Sequence, residues 1–307
     1  MQETGGCAQT WEAVARSAPV TAALSWVLRA AWALLPVVAG PAFGSALDER
    51  SGPVQVVASV GLWAIWGAGV LATLVPRPAG LTLLRVAAPA AWAAAVAALV
   101  PDPGVAGGVA VGSTAVAAVV VLLPETGELF VNGAAYGDEH RHLLRPPAAL
   151  LLGPIPLAAV LLVAAVVTGP LLLAARAWVA GAVAVAVGAP LAVLLARALH
   201  SLTSRWAVFV PAGLVLKDHL ALLDPVLLRR HLVTSIGPAP ASSDALDVTA
   251  RAPGLALEVR LREPVPLARV VPGRREGEGA SPEALRFTPT RPGAVLAEAD
   301  RRRLVRL

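Results

Sequence analysis

Hydrophobic and polar positions divide this chain into two unlike stretches. From Trp26 to Ala198, apolar residues come in blocks separated by short charged or turn-forming interruptions. Each block is about 20 residues, enough to cross a hydrocarbon core of roughly 30 Å as a helix. The blocks are Trp26–Leu47, Val54–Val75, Leu81–Val100 and Gly104–Leu123, followed by a hairpin from Pro147 to Ala198. The hairpin runs apolar to Val167, turns at Thr168-Gly169-Pro170 and runs apolar again to Leu195, with Arg176 its only charge up to Ala196. The pattern predicts six spans over residues 26–198. Between the fourth and fifth lies one sizeable polar loop, 124–146.

After Ser204 the period changes. Trp206–Val210 and Leu214–Asp218 flank Pro211-Ala212-Gly213, which reads as a hairpin. Asp224-Pro225 breaks the chain, and His231–Ile236 is strand-like. Leu246–Arg251 and Leu255–Arg262 both alternate, with Ala252-Pro253-Gly254 between them as a second hairpin turn. Leu267–Val271 and Leu285–Pro289 read as short strands, Pro272–Glu283 as a flexible loop, and Pro292–Leu304 as a closing helix. The expected architecture is an α-helical membrane bundle of about six transmembrane helices, then a small β-rich domain over 201–307 with a C-terminal helix packed on it.

Charge sharpens this division. Residues 1–200 carry nine Arg and nine Asp/Glu; residues 201–307 carry fifteen Arg, the sole lysine Lys217 and eleven Asp/Glu, and so hold the whole net charge of +5. Arginine placement also orients the spans. Arg16, Arg29, Arg77, Arg85, Arg141, Arg145, Arg197 and Arg205 fall on one side, Arg50 and Arg176 on the other. The positive-inside bias then puts residues 1–25, the 124–146 loop and the β domain in the cytoplasm, with both termini inside. The first span lacks a preceding basic region and is expected to be a retained anchor. Cys7 is the single cysteine, so no internal disulfide is available.

The chemistry the residues offer is sparse. The expected spans contain no Asp, Glu, Lys or His, which argues against transport coupled to an intramembrane ionisable group. In the fourth span Gly104, Gly108 and Gly112 form a small-residue stripe suited to close helix packing, within the bundle or against a second copy as a homodimer. The loop holds Glu125, Glu128, Asp138, Glu139, His140 and His142. Two histidines at close spacing with carboxylates resemble part of a divalent-metal set, yet fall short of the three or four ligands a site needs; no metal or cofactor is implied. Tyr136 is expected to pack the loop down. Arg229-Arg230, Arg274-Arg275 and Arg301-Arg302-Arg303 supply a basic surface for anionic lipid or an acidic protein partner. Nucleic acid is not indicated, because no aromatics are interleaved with these arginines.

Two resemblances add to this reading. Arg205-Trp206, Gly213-Leu-Val-Leu, the Asp224-Pro225 break and the final helix resemble bacterial pleckstrin-homology-like domains, which implies a barrel over the last third. Phe130-Val-Asn-Gly133, Tyr136-Gly-Asp-Glu139, Arg141 and Leu144-Arg145-Pro146-Pro147 look like a loop of an uncharacterised actinobacterial multi-pass membrane protein family, which supports the layout and adds no chemistry. The leading expectation is a non-catalytic membrane anchor that presents a protein- or lipid-binding β domain. The alternatives are an enzyme acting on lipid or headgroup through residues 125–142, with Asp138, Glu139, His140 and His142 as its acid–base groups, and a transporter or channel needing a polar path through the bundle.

Overall fold

A computed structural model describes residues 22–101, 103–271, 273 and 277–304. They group into two compact units. One is helical and lies within Val20–Gly133 and Pro154–Thr203; the other holds Ala134–Gly153 together with the chain from Ser204 onward. The expected bundle and β domain are both present, but the boundary between them falls elsewhere: half of the polar loop belongs to the β domain.

In the helical unit, five helices among the described residues are long and apolar enough to cross a membrane: α4 (Gly52–Leu74), α5 (Pro78–Leu99), α6 (Val105–Leu122), α9 (Pro154–Ala174) and α10 (Trp178–Leu202). Their large side chains, among them Trp63, Leu157, Val160, Val179 and Leu194, are exposed on the outside of the unit. A surface of this kind is stable against lipid and not against water.

The first expected span is not one helix. It is three pieces: α1 (residues 22–33), α2 (Leu35–Val38) and α3 (Gly40–Asp48). Pro36 and Pro41 sit at the starts of α2 and α3, where their missing N–H groups interrupt the ladder. Pro36 leaves the Trp32 carbonyl without its usual i+4 donor, and the indole of Trp66 on α4 supplies one, Nε1 donating to Trp32 O at 3.2 Å. The exchange is reciprocal, because Trp32 Nε1 donates to Trp66 O at 2.9 Å. Gly69 makes room for it: a methyl there would lie 2.2 Å from the Trp32 ring.

These contacts also set direction. Arg29 Nε donates to Thr73 O at 3.3 Å, in the last turn of α4 where carbonyls lack helical partners. At the far end Gln55 Nε2 donates to Leu47 O at 3.1 Å and to Arg50 O at 3.0 Å. Residues 29 to 47 therefore run antiparallel to residues 73 to 55 over the same length, about 27 Å at helical rise. The broken segment traverses the unit as fully as α4 does.

The hairpin differs from expectation in where it turns. Thr168-Gly169-Pro170 lies inside α9, and the chain reverses at Ala175–Ala177, with Arg176 in the left-handed region at φ 64°. The short α8 (Ala148–Leu152) precedes Gly153 and is separate from α9. The two legs meet along an antiparallel glycine seam: added methyls would lie 2.6 Å from Val185 Cγ2 at Gly169, 2.9 Å from Leu173 N at Gly181, and 2.6 Å from Ala165 O at Gly188. The stripe singled out in the sequence behaves otherwise. Nothing lies within 4 Å of the methyl positions of Gly104, Gly108 or Gly112, and α6 packs instead through Gly107, Ala110, Thr114, Ala117 and Val121. The face a helix turns inward is set by its neighbours, and here that face carries alanine and threonine.

The β unit contains two four-stranded sheets, a two-stranded ribbon and a closing helix. The first sheet has the order β1 (His140–Leu143), β2 (Trp206–Val210), β3 (Gly213–Lys217), β4 (Val226–Arg229), all antiparallel neighbours. Strand β1 is polar loop sequence paired His140 to Phe209 through Leu143 to Trp206. The β2–β3 hairpin forms as expected, and Gly213 at φ 148° is required there because a methyl would lie 2.1 Å from Leu228 O.

The second sheet runs β5 (Val233–Pro238), β7 (Leu257–Leu261), β10 (Ala284–Phe287), β6 (Leu246–Asp247). The expected hairpin of 246–251 with 255–262 does not form: β10 lies between them, antiparallel to β7 and parallel to β6. Ala250 and Arg251, at φ 52° and 59°, turn the chain away before it can pair locally. Residues in the expected loop form β9 (Glu278–Ala280), which pairs with β8 (Leu267–Arg269).

Leu143–Arg145 stitches the two sheets. Leu144 N donates to Arg205 O at 3.0 Å, Arg145 N to Thr288 O at 2.9 Å, and Thr290 N to Leu143 O at 2.8 Å. Between the sheets lies a continuous core that includes Leu144, Phe209, Leu216, Ile236, Val259, Phe287 and Val295, the last from helix α11 (Pro292–Arg301).

Two outcomes follow. Gly188→Ala should destabilise the full-length protein in detergent by about 1–3 kcal/mol, since the methyl meets backbone, whereas Gly112→Ala should be close to neutral; thermal unfolding of the two variants separates them. Residues 204–307 expressed alone should show no cooperative unfolding, while the same segment joined by a flexible linker to 134–153 should unfold cooperatively in denaturant.

Candidate functional site: a basic rim on the β domain

The rim starts from a buried ion pair. Arg205 directly precedes β2 and Asp218 directly follows β3, so they face each other just past the last cross-strand pair, Trp206 with Lys217. Their side chains are 1% and 2% exposed, and the guanidinium grips the carboxylate with two bonds of 2.6 Å. Its remaining arm donates to Arg145 O at 2.9 Å, and Leu220 N donates to Asp218 Oδ1 at 3.0 Å. Charges this deep are tolerable only when every arm is bonded, and loss of one partner typically costs about 3–5 kcal/mol. The pair thus fixes β2, β3 and the loop strand together.

The ionisable residues of the 125–142 loop, four of them the acid–base candidates of the enzyme alternative, are divided between the two units. Glu125 and Glu128 lie on α7 (Pro124–Asn132) in the helical unit, where Phe130 and Val131 are buried and Gly133 sits against Pro76. Asp138, Glu139, His140 and His142 lie in the β unit. Among the described residues no three His, Cys, Asp or Glu groups come together in a metal-binding geometry. Glu139 is tied to Arg141, with Oε1 accepting from Nε at 2.8 Å. His142 is buried with its ring edge-on to Phe209, and the His140 ring lies 4.8 Å from that of His142. Tyr136 is 90% exposed and does not pack the loop down; the loop is held by β1 pairing instead.

The basic clusters fare differently. Arg230 Nη2 donates to Arg302 O at 2.8 Å, which brings Arg229-Arg230, at the end of β4, beside Arg301-Arg302-Arg303 at the end of α11. Arg302 reaches from there to Asp138 O and stacks 6.0 Å over the Phe209 ring. Glu298 takes hydrogen bonds from both Arg301 and Arg302. Among the described residues Arg229, Arg230 and Arg303 are exposed and have no carboxylate partner. Two arginine runs some seventy positions apart in the chain therefore form one rim with guanidinium groups available for bidentate contact with phosphate or carboxylate. Arg274 and Arg275 lie outside the described residues. Sequence reading found both runs but not their meeting, which depends on the sheet order.

Beside the rim, residues 221–223 pair with 268–270, after which β4 and the 263–267 segment diverge. The groove they leave has a volume of about 560 Å³ and is lined by Leu227, Arg229, His231, Leu232, Glu263 and Val265. On the outer face of β2, Arg141 and Lys217 both lie over the Trp206 ring, at 4.6 and 5.0 Å.

Three carboxylates of this unit are held below their ordinary range. For Glu298 burial pushes upward, but hydrogen bonds from Arg301 and Arg302 and the nearby charges of His140 and Arg301 outweigh it. For Asp247 burial likewise pushes upward and is outweighed by hydrogen bonds from the Thr249 side chain and backbone and by Arg286. For Glu139 the hydrogen bond from Arg141 dominates, against a smaller upward push from burial. A carboxylate with a depressed folded-state pKa stabilises the fold fully above its unfolded value, about 4, and loses that contribution as pH falls through the folded value. Amide protection factors of the β unit in the full chain, taken relative to the intrinsic exchange rate at each pH, should therefore fall as pH drops below about 4, and Glu298→Gln should flatten that dependence.

Compared with protein-family models, curated proteins and solved structures, the chain matches none.

Proposed function

We propose that this is a non-catalytic multi-pass membrane protein whose cytoplasmic β domain engages anionic headgroups through the rim of Arg229, Arg230 and Arg303. The observation that carries the reading is the Arg230–Arg302 contact, which turns two separate basic runs into one surface with uncompensated charge. Each exposed arginine held near a leaflet bearing anionic lipid contributes about 1 kcal/mol. The two sheets and closing helix support the likeness to pleckstrin-homology-like domains, with the departure that one strand comes from between two membrane helices.

The orientation rests on two supports. Strand β1 precedes α9 and β2 follows α10, and both belong to one domain, so the α9–α10 pair leaves one face of the membrane and returns to it. Within the helical unit, Arg29, Arg77, Arg85 and Arg197 lie towards the end where α4 finishes, α5 begins and α10 finishes, against Arg50 and Arg176 at the other. With the broken first segment counted as a crossing, the described residues make six, and the positive-inside rule then favours a cytoplasmic β domain and cytoplasmic termini.

Co-sedimentation of the joined 134–153/204–307 unit with vesicles tests the reading. Vesicles containing phosphatidylglycerol should retain it and pure phosphatidylcholine vesicles should not. Arg230→Glu with Arg303→Glu should reduce retention at least tenfold, and 0.5 M salt should weaken it, as screening of surface charge requires. Equal retention on neutral vesicles, or undiminished retention of the double variant, overturns the proposal.

A further inference from the structure

We infer a second anionic-lipid site, in the helical unit, where the phosphate of a membrane lipid is held by Arg85 of α5 and Arg197 of α10. It is independent of the β-domain rim and rests on the packing of these two helices.

Helices α5 and α10 meet at a polar contact near the start of one and the end of the other. Thr82 Oγ1 lies 3.1 Å from His200 Nδ1 and 3.1 Å from Thr203 Oγ1. The helices are antiparallel there, so one turn further into the unit brings Arg85, three residues after Thr82, and Arg197, three residues before His200, to the same depth. Residues three apart on a helix share a face. Arg85 is half-buried and Arg197 exposed. Among the described residues neither makes a hydrogen bond or ion pair. Two guanidinium groups near this polar contact, neither with a carboxylate partner among the described residues, leave positive charge at the edge of an apolar slab. Such a charge is costly unless an anion or water meets it.

The helix lengths place the cluster at the headgroup level. Helix α10 has 25 residues, about 37 Å, longer than a hydrocarbon core of roughly 30 Å, so its last turns reach the interface. Arg85, in the second turn of α5 after Pro78, tilts towards its helix N-terminus and so back to the level of Thr82. The antiparallel α10 tilts Arg197 the other way, and its long exposed side chain returns to the headgroup level by snorkelling.

A lipid fits better than a free anion, because the surface below Arg197 is apolar. Val193 and Leu194, one turn deeper on the same face of α10, are 57% and 66% exposed. An amphiphile whose phosphate meets the arginines lays its chain along them. Arginine's planar fork suits the phosphate oxygens.

Native mass spectrometry of the full-length protein in detergent tests the site, with phosphatidylglycerol and phosphatidylcholine supplied in equal amount. Wild type should retain phosphatidylglycerol in preference. Arg85→Gln and Arg197→Gln should each lower that retention about fivefold, and the double variant about 25-fold, from the energy of one arginine near a charged surface. Arg50→Gln, at the opposite end, should leave it unchanged. Where Arg85→Gln fails to fold, Arg197→Gln carries the result, because its side chain is exposed. Overturning outcomes are equal retention of the two lipids by wild type, undiminished retention by Arg197→Gln, an equal loss in Arg50→Gln, or displacement of the lipid by millimolar inorganic phosphate.

Discussion

The β domain depends on removing two charges from water. Arg205 and Asp218 are almost wholly buried, and a guanidinium in that position needs all its arms engaged. Asp218 engages two; the third goes to the carbonyl of Arg145, a residue on the far side of the α9–α10 hairpin in sequence. Without the loop strand the pair keeps its attraction but loses part of its compensation, and β2 presents an unpaired edge. The fold therefore requires chain from two places. The pair is satisfied by one arrangement of three segments, and an arrangement that left the buried guanidinium or carboxylate without its partners would be penalised.

The helical unit meets the same requirement with different groups. In lipid every backbone polar group needs an internal partner. The break at Pro36 would strand the Trp32 carbonyl, and the Trp66 indole answers it while Trp32 answers back. Arg29 does the same for Thr73 at the end of α4. Where no side chain intervenes, contact comes from close backbone approach, at Gly169, Gly181 and Gly188 along the hairpin. Polar caps and glycine seams are alternatives here: one repairs an interrupted helix, the other lets two intact ones touch.

These features were unequally legible in the sequence. The apolar blocks gave five of the expected spans, because length and composition alone decide whether a helix can sit in lipid, but not the breaks at Pro36 and Pro41 in the first block; the β2–β3 hairpin was legible from Pro211-Ala212-Gly213. The turn of the α9–α10 hairpin was not, because Gly169 and Pro170 look like a turn and are tolerated within a helix, while Arg176 carries no turn signature. Glycine spacing pointed to Gly104, Gly108 and Gly112, although inward-facing positions are set by neighbours that spacing does not reveal. Strand β1 had no local signal: His-Arg-His-Leu lacks the alternation of a half-buried strand, and its partner lies beyond two membrane helices. The arginine runs were visible one by one, and their union into a rim needed the register of β4 against β3. The same gap hid the pairing of Thr82 with His200, since the expected sixth span stopped short of that histidine.

The insertion of two membrane helices between β1 and β2 bears on how the chain is made. During synthesis β1 emerges first and has nothing to pair with until α9 and α10 have both entered the bilayer and the chain has come back to the face it left. If only one of them inserts, β1 and β2 are stranded in different compartments, the Arg145 carbonyl cannot reach Arg205, and the domain stays open. Completion of the sheet is thus conditional on correct insertion, so a mis-threaded molecule carries its own mark: an unfinished domain with exposed strand edges, the kind of surface that quality-control proteases and chaperones recognise.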